Sequence, residues 1–273
     1  MPSYVITGIS RGIGYELLRQ TSSDSQNTAI GLVRDKAATE KKISEDEELK
    51  TRTNIHILQA DITDYAALKA AAEETAKITG GAVDYVIGNA GWVSMFDNFD
   101  GFRGLADKPE ELTKTMSLLT DINVTGNIHL LNLFTPLLLK GETKKAVVIT
   151  SGFADPDFTN EWEVAVAPLY AVSKAAVNMV IAKFNAEYKK DGVLFMAICP
   201  GMVDTGLYVN VTEEQMGKMG GLVATFQKYS PTFAGPETPE QSVNGILNVI
   251  NTSSIEGGRG GVFISHFGNK RWL

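Results

Sequence analysis

The sequence predicts an α/β chain of one domain: a Rossmann-type, doubly wound parallel sheet of about seven strands with helices on both faces. Three observations carry this. Short apolar runs alternate with helix-patterned segments from one end of the chain to the other. A glycine-rich turn, Gly8-Ile9-Ser10-Arg11-Gly12-Ile13-Gly14, follows the first apolar run and opens an amphipathic stretch. No linker composition and no internal repeat interrupts the 273 residues, a length that one large α/β domain fills.

Tyr4 to Thr7 reads as the first strand. The glycine spacing after it, Gly-x3-Gly-x-Gly, is a relative of the dinucleotide fingerprint, in which glycines turn the chain tightly and let a phosphate approach a helix N-terminus. A plain tight turn is the other reading. Gly8 to Gly12 also fits Gly-x-Ser-x-Gly, with Ser10 as the nucleophile of a hydrolase elbow and His266 as a late partner. That elbow draws half of its oxyanion hole from an earlier strand and loop, and only seven residues precede Gly8. Thr28 to Val33 is the second strand and ends in Arg34-Asp35. An acid at this strand end accepts from a ribose 2′-hydroxyl, whereas an arginine accommodates a 2′-phosphate. Arg34, with Arg11 in the glycine turn as a second cation, favours NADP(H) over NAD(H); pairing of Arg34 with Asp35 is the alternative.

Residues 36–54 are charged and read as a solvated surface segment. Ile55 to Gln59 is the third strand, followed by Asp61-Ile62, and Tyr65 to Lys77 is Ala-rich and helical. Asp84 to Gly88 is the fourth strand and runs into Asn89-Ala90-Gly91, small residues that leave room for a ligand at a strand's C-terminal end. Pro109 to Lys140 reads as one long helix, with Asn123 and Gly126 marking a local irregularity and Pro136 a kink. Ala146 to Thr150 is the fifth strand, with Ser151 just past it; the loop 152–168 carries Phe153, Phe158 and Trp162. Tyr170 opens a helix to about Lys190. Val193 to Ile198 is the sixth strand, ending in Pro200-Gly201-Met202-Val203-Asp204-Thr205. Residues 203–235 read as a lid over a substrate, or as ordinary loop plus helix. Thr238-Pro239-Glu240-Gln241 is a capping box with proline in the first turn, and Gly261 to Ser265 is the last strand.

The chemistry centres on Tyr170-Ala171-Val172-Ser173-Lys174. On a helix, a phenol and an ammonium four residues apart share one face. A cation beside the phenol favours the phenolate and tunes it as a general acid or base, while the bland reading is an ordinary surface pair. Composition excludes other classes. The formal charge is −7 with no Lys/Arg run, which argues against nucleic acid and against an anionic membrane surface. No apolar run reaches the ~20 residues of a membrane helix. The single Cys199 lies in an apolar run and reads as a buried thiol in a reducing, cytoplasmic setting. His56, His129 and His266 have no partners at metal-ligand spacing, so no metal is expected.

Together, Thr7 to Gly14, Asp61, Asn89-Ala90-Gly91, Asn123, Ser151, Tyr170 to Lys174, and Pro200-Gly201 with Thr205 resemble the classical short-chain dehydrogenases/reductases over nearly the whole chain. The tail Gly261 to Ser265 and Arg34 look most like carbonyl-reductase and fungal ketoreductase members. The resemblance implies catalytic roles for Asn123, Ser151, Tyr170 and Lys174. Tyr170 is the proton donor to a substrate carbonyl, Lys174 lowers its pKa and holds the nicotinamide ribose, Ser151 orients the substrate oxygen, and Asn123 supports a water-linked relay to Lys174. It implies a cofactor held by Gly8, Ser10, Arg11, Gly12, Ile13 and Gly14, by Arg34, by Asp61 and Ile62, by Asn89, Ala90 and Gly91, by Tyr170 and Lys174, and by Pro200, Gly201, Val203 and Thr205. It further implies a small-molecule carbonyl substrate and a homodimer or homotetramer. Nineteen residues separate Ser151 from Tyr170, a longer gap than is usual in the family, and the excess falls in the aromatic 152–168 loop. A non-catalytic NADP-binding sensor on the same fold, and alcohol oxidation by the same residues, are the competing readings.

Overall fold

A computed structural model describes residues 1–208 and 211–273. Seven strands form one all-parallel sheet in the order β3-β2-β1-β4-β5-β6-β7. They are β1 (Ser3–Thr7), β2 (Thr28–Val33), β3 (Ile55–Gln59), β4 (Tyr85–Gly88), β5 (Lys145–Ile149), β6 (Leu194–Cys199) and β7 (Phe263–Ser265). The helices are α1 (Gly12–Thr21), α2 (Lys36–Glu45), α3 (Tyr65–Ile78), α4 (Pro109–Leu119), α5 (Gly126–Leu138), α6 (Pro156–Trp162), α7 (Pro168–Tyr188), α8 (Glu213–Tyr229) and α9 (Pro239–Thr252). Strand order reverses between β1 and β4, so the crevice outside their carboxyl ends is where a ligand is expected in this fold.

The strands are apolar along their whole length because both faces are covered. Alternate residues feed two cores. Val5, Ile30, Val86, Val148 and Phe195 pack against α3, α5 and α7 through Leu68, Leu130, Phe134, Val177 and Ile181. Their neighbours Ile6, Ala29, Ile87, Val147 and Met196 pack against α1 and α9 through Leu17, Leu18, Val243 and Ile246. The period of two along each strand produces both layers.

The long helix expected over 109–140 is divided. Thr120–Thr125 is a π-helical segment between α4 and α5, and Asn123 lies inside it, fully buried. The weak helix former and the nearby Gly126 thus mark a real irregularity. Pro136 is accommodated inside α5, close to its end. The capping box expected at Thr238 is present, with Thr238 and Gln241 bonded reciprocally. The region expected as a lid contains α8, opened by a second capping box between Thr212 and Gln215; residues 209–210 of that region fall outside the described residues. The 152–168 loop is also ordered, as a short 3-10 turn (Gly152–Ala154) and α6.

Asp84, expected as the first residue of the fourth strand, instead precedes β4 and uses its carboxylate as a clamp. It accepts from the Ser3 amide (2.9 Å) and hydroxyl (3.1 Å) and from the amides of Glu142 (3.0 Å) and Thr143 (3.1 Å), joining the start of β1 to the turn before β5. Burial works to raise its pKa, but these donors prevail and hold the carboxyl below the ordinary carboxylate value. Asp84→Ala is expected to cost roughly 1–3 kcal/mol at neutral pH, because buried amides lose their acceptor. A carboxyl held low in the folded state contributes stability above its unfolded pKa of 3.8 and loses it as pH falls through the folded value. The gap between parent and variant in urea denaturation is therefore expected to be widest near neutrality and to close in acid.

Candidate active site

A cavity of about 1010 Å³ opens at the carboxyl ends of the strands. One end is built on β1 and α1. Gly8 has a positive φ of 72°, and a Cβ there would stand 2.9 Å from the Cα of Ala90. A Cβ on Gly14 would collide with the Gly8 carbonyl and the Asn89 side chain. Only glycine lets β1, α1 and the β4 end approach this closely. Thr7 ties the same point: its hydroxyl accepts from the amides of Asn89 (3.0 Å) and Ala90 (2.9 Å), and the Asn89 side chain donates back to the carbonyls of Thr7 (3.0 Å) and Gly8 (3.2 Å). No side chain caps α1. Its first amides and positive dipole end thus form a cradle for an anion.

Three cations stand at this end. Arg11 and Arg34 line the cavity, are exposed, and make no ion pair among the described residues. Asp35 does not neutralise Arg34; it caps α2 by accepting from the Ala38 amide at 2.9 Å. Lys42 was not singled out from the sequence; its ammonium bonds the Ser10 carbonyl at 3.1 Å. Gly8, Ser10, Gly12, Ile13, Gly14, Asp61, Ile62, Asn89, Ala90, Gly91, Pro200, Gly201, Val203 and Thr205 all line this same cavity. The donors, glycines and cations fit a nucleotide with phosphate groups.

Ser151, Tyr170 and Lys174 meet deeper in the cavity. Lys174 is buried and its ammonium donates to the Ile149 carbonyl at 2.9 Å, lying 5.7 Å from the centre of the Tyr170 ring. Asn123 alone of the expected catalytic set does not line the cavity. It sits behind it: its side chain accepts from the Trp92 amide (2.8 Å) and donates to the Trp92 carbonyl (3.0 Å) and the Ser173 hydroxyl (3.0 Å). Its own carbonyl accepts from the Asn127 side chain at 2.8 Å. Gly91 presses on both groups, since a Cβ there would lie 3.2 Å from the Lys174 ammonium and 3.3 Å from the Asn123 oxygen.

Burial adds to the electrostatics an effect that the spacing of the residues does not show. Proximity of Lys174 was expected to lower the Tyr170 pKa. In the protein without ligand, burial pushes the phenol well above its ordinary value, Cys199 and Tyr208 add to this, and the Ser151 side chain opposes it. Burial also pulls Lys174 down to about 8, with Cys199 acting in the opposite sense. Desolvation is the main cause of both shifts, and the ammonium is directed to the Ile149 carbonyl. Cys199 is buried, accepts from the Gly152 amide at 3.0 Å, and is pushed up to about 11 mainly by burial, which suits an unreactive thiol.

The hydrolase reading loses its base. His266 is buried away from the cavity, against Gly201, with Nε2 3.0 Å from Glu237 Oε2, while Ser10 lies at the start of α1. Among the described residues no group of His, Cys, Asp and Glu is arranged to hold a metal, and no helix is long and apolar enough to cross a membrane.

The other end of the cavity is aromatic. Phe153 and Phe158 of the 152–168 segment line it together with Phe226 of α8 and Trp272, whereas Trp162 packs away from it on Tyr229. Asp97 was also missed from the sequence. It is fully buried in the loop after β4 and bonds the first turn of α7. An acid in an irregular loop carries no local signal of a partner so distant in the chain.

A family model described as short chain dehydrogenase matches residues 3–216. The chain belongs to the short-chain dehydrogenase/reductase family. It is 55% identical over 273 residues to the short chain dehydrogenase virK of Hypocrea virens, covering 100% of both chains. It is 46% identical over 274 residues to the short-chain dehydrogenase/reductase iacC of Pestalotiopsis fici, again covering 100% of each. The NADPH-bound carbonyl reductase from chicken fatty liver shares the fold, with a TM-score of 0.77, 22% identity and 98% coverage of both chains. This short-chain dehydrogenase/reductase is thus an oxidoreductase of a family that binds nicotinamide cofactors.

Lys174 gives the buried site a titration signature. The folded value of about 8 lies below the unfolded 10.5, so above about pH 8 the unfolded chain holds more protons and stability rises with pH. Below that, both states are protonated and the penalty of the buried cation is fully felt. Cys199 and Tyr170 act oppositely, but only above their unfolded values of 9.0 and 10.0. Between about pH 7 and 9 the urea midpoint of the parent is expected to rise relative to that of Lys174→Met; parallel profiles contradict the assignment.

Proposed function

We propose that this chain reduces a ketone or aldehyde to an alcohol with NADPH. The observation that carries this is the meeting of Ser151, Tyr170 and Lys174 in the same cavity as the uncapped start of α1 and the free cations Arg11 and Arg34. When bound, NADPH supplies the hydride to the carbonyl carbon. Every other task falls to the chain. The first amides of α1 bind phosphate, and Arg34 with Arg11 meets a 2′-phosphate. Ser151 and Tyr170 present two hydroxyl donors to the oxygen on which charge develops. The raised pKa of Tyr170 keeps the phenol protonated, so it is loaded as the donor in the direction of reduction. Lys174, held between Ile149 and Gly91, places a proton-bearing nitrogen behind the phenol, and Asn123 fixes the wall it leans on. Alcohol oxidation needs the same phenol deprotonated, which burial opposes. A non-catalytic sensor has no need of this constellation. Association into a homodimer or homotetramer belongs to the same reading; Leu118 on α4 and Val172 and Met179 on α7 are exposed apolar side chains that support it.

Purified protein is expected to shift NADPH fluorescence and to consume NADPH with a panel of ketones and aldehydes. Tyr170→Phe is expected to keep cofactor binding and lose about 10²–10⁴-fold in turnover, the usual worth of a positioned proton donor. Turnover near the parent rate refutes the assignment. Arg34→Gln is expected to raise the NADPH dissociation constant about 10-fold or more, as loss of a charge-assisted phosphate bond does, and to leave NADH nearly unchanged. Equal losses for the two nucleotides refute the 2′-phosphate role.

A further inference from the structure

We infer that Asp97 is a positioning residue for Tyr170: its buried carboxylate replaces the missing N-cap of α7 and fixes the start of the helix that carries the phenol. This rests on Tyr170 acting as the proton donor of the reduction proposed above. A helix leaves its first amides without internal partners, and an N-cap side chain with extended backbone ordinarily satisfies them. Here the N-cap is Ala167, which has no acceptor side chain and a left-handed backbone with φ 52° and ψ 46°. Pro168 follows and has no amide hydrogen. The donors that remain are met from outside the helix. Asp97 Oδ2 accepts from the amides of Leu169 at 2.9 Å and Tyr170 at 3.3 Å. The Asp97 carbonyl accepts from the Ala167 amide at 3.0 Å, and the Ala171 amide makes the first intrahelical bond, to the Ala167 carbonyl at 2.9 Å. All four amide hydrogens from 167 to 171 thus have a partner, and Asp97 accepts three of these four bonds through two of its oxygens.

Tyr170 stands in the first turn of α7, where an uncapped helix frays. Its reaction partner Ser151 is fixed independently, at the end of β5. Any movement of the helix start therefore changes the spacing of the two hydroxyls that must meet one substrate oxygen. Asp97 does not line the cavity and does not touch the reacting groups. Its second oxygen, Oδ1, is buried with no hydrogen-bond partner among the described residues, so the carboxylate is not spent on an ion pair. The same loop holds two further walls: Trp92 is bonded to Asn123, and Asp100 pairs with Lys218 of α8 at 2.7 Å. The loop after β4 thus sets the catalytic helix from one side while α6 and the 152–168 segment reach it from the other.

The test compares Asp97→Ala with Asp97→Asn, which keeps an acceptor oxygen for the two amides and removes only the charge. Asp97→Ala is expected to lower kcat for carbonyl reduction about 10²-fold, the cost of a displacement of about 1 Å at a reacting group, with the NADPH dissociation constant nearly unchanged. Asp97→Asn is expected to stay within a few-fold of the parent. Hydrogen exchange in peptides covering 168–175 is expected to quicken in Asp97→Ala while the central strands β1 and β4 stay protected. Should the alanine variant not fold, Asp97→Ser, whose hydroxyl is too short to reach α7, is read in the same way. Parent-like kcat in the alanine or serine variant overturns the inference, as does an asparagine variant that falls equally far, or exchange that rises across the sheet with no excess at 168–175. A parent enzyme that reduces no carbonyl sinks the proposed function instead, and the exchange comparison then decides Asp97 by itself.

Discussion

The junction between Thr7 and Asn89 holds this molecule in its working shape. Four hydrogen bonds cross from the end of β1 to the end of β4, where strand order reverses. A parallel sheet leaves carbonyls and amides unpaired at such a reversal, and the two strands diverge beyond it. Here the Thr7 hydroxyl and the Asn89 amide take up those groups side by side. The junction sets the floor of the crevice, and Gly14 lets α1 descend onto it with its amides facing the cavity. From that floor the two ends of the site extend in opposite directions: the cations of α1 and β2 towards one, and the hydroxyls of Ser151 and Tyr170 towards the other.

At the deep end, desolvation governs the chemistry before any ligand arrives. Burial drives the phenol and the ammonium towards their neutral forms, Tyr170 upward and Lys174 downward. Both shifts disfavour charge, yet a Lys174 value of about 8 leaves its ammonium protonated at neutral pH, beside a phenol that is neutral. The strong direction of Lys174 towards the Ile149 carbonyl has the same origin, since a buried ammonium must find an acceptor and the nearest is backbone.

Much of this was legible in the sequence. The seven strands follow from short apolar runs, because a parallel sheet covered on both faces requires apolar residues on both. Asn123 and Gly126 announced a local irregularity, which the fold realises as a π-helical segment, since a weak helix former shortly before a glycine is a local signal for a local feature. What was not legible depends on distance through the fold. The net direction of the Tyr170 shift was not legible, because spacing reveals a neighbouring charge but not the loss of water around it. Helix α8 was left open between lid and loop, although Thr212 and Gln215 stand at capping-box spacing; its glycines and methionines blur the apolar stripe. Asp97 had no signal at all, because its partners Leu169 and Tyr170 lie 72 and 73 residues further along the chain.

The long gap between Ser151 and Tyr170 shows how reaction geometry and pocket shape are kept separate. Ser151 is placed by the register of β5 on β6 and by the Thr150 amide bonding the Ile198 carbonyl at 2.9 Å. The start of α7, and Tyr170 with it, is held by hydrogen bonds that its first amides donate to Asp97. Neither anchor uses residues 156–162, so the extra chain is free to fold as α6 without disturbing the pair. What α6 does instead is bring Phe158 against Tyr229, with ring centres 4.8 Å apart, and towards Phe226. Nearby, the Trp272 indole donates to Asp155 at 3.0 Å just before α6 begins. These contacts join α6, α8 and the C-terminal segment into one aromatic wall of the cavity. Residues 156–162 can wall the cavity in this way because the anchors of Ser151 and Tyr170 on either side of them lie outside that segment.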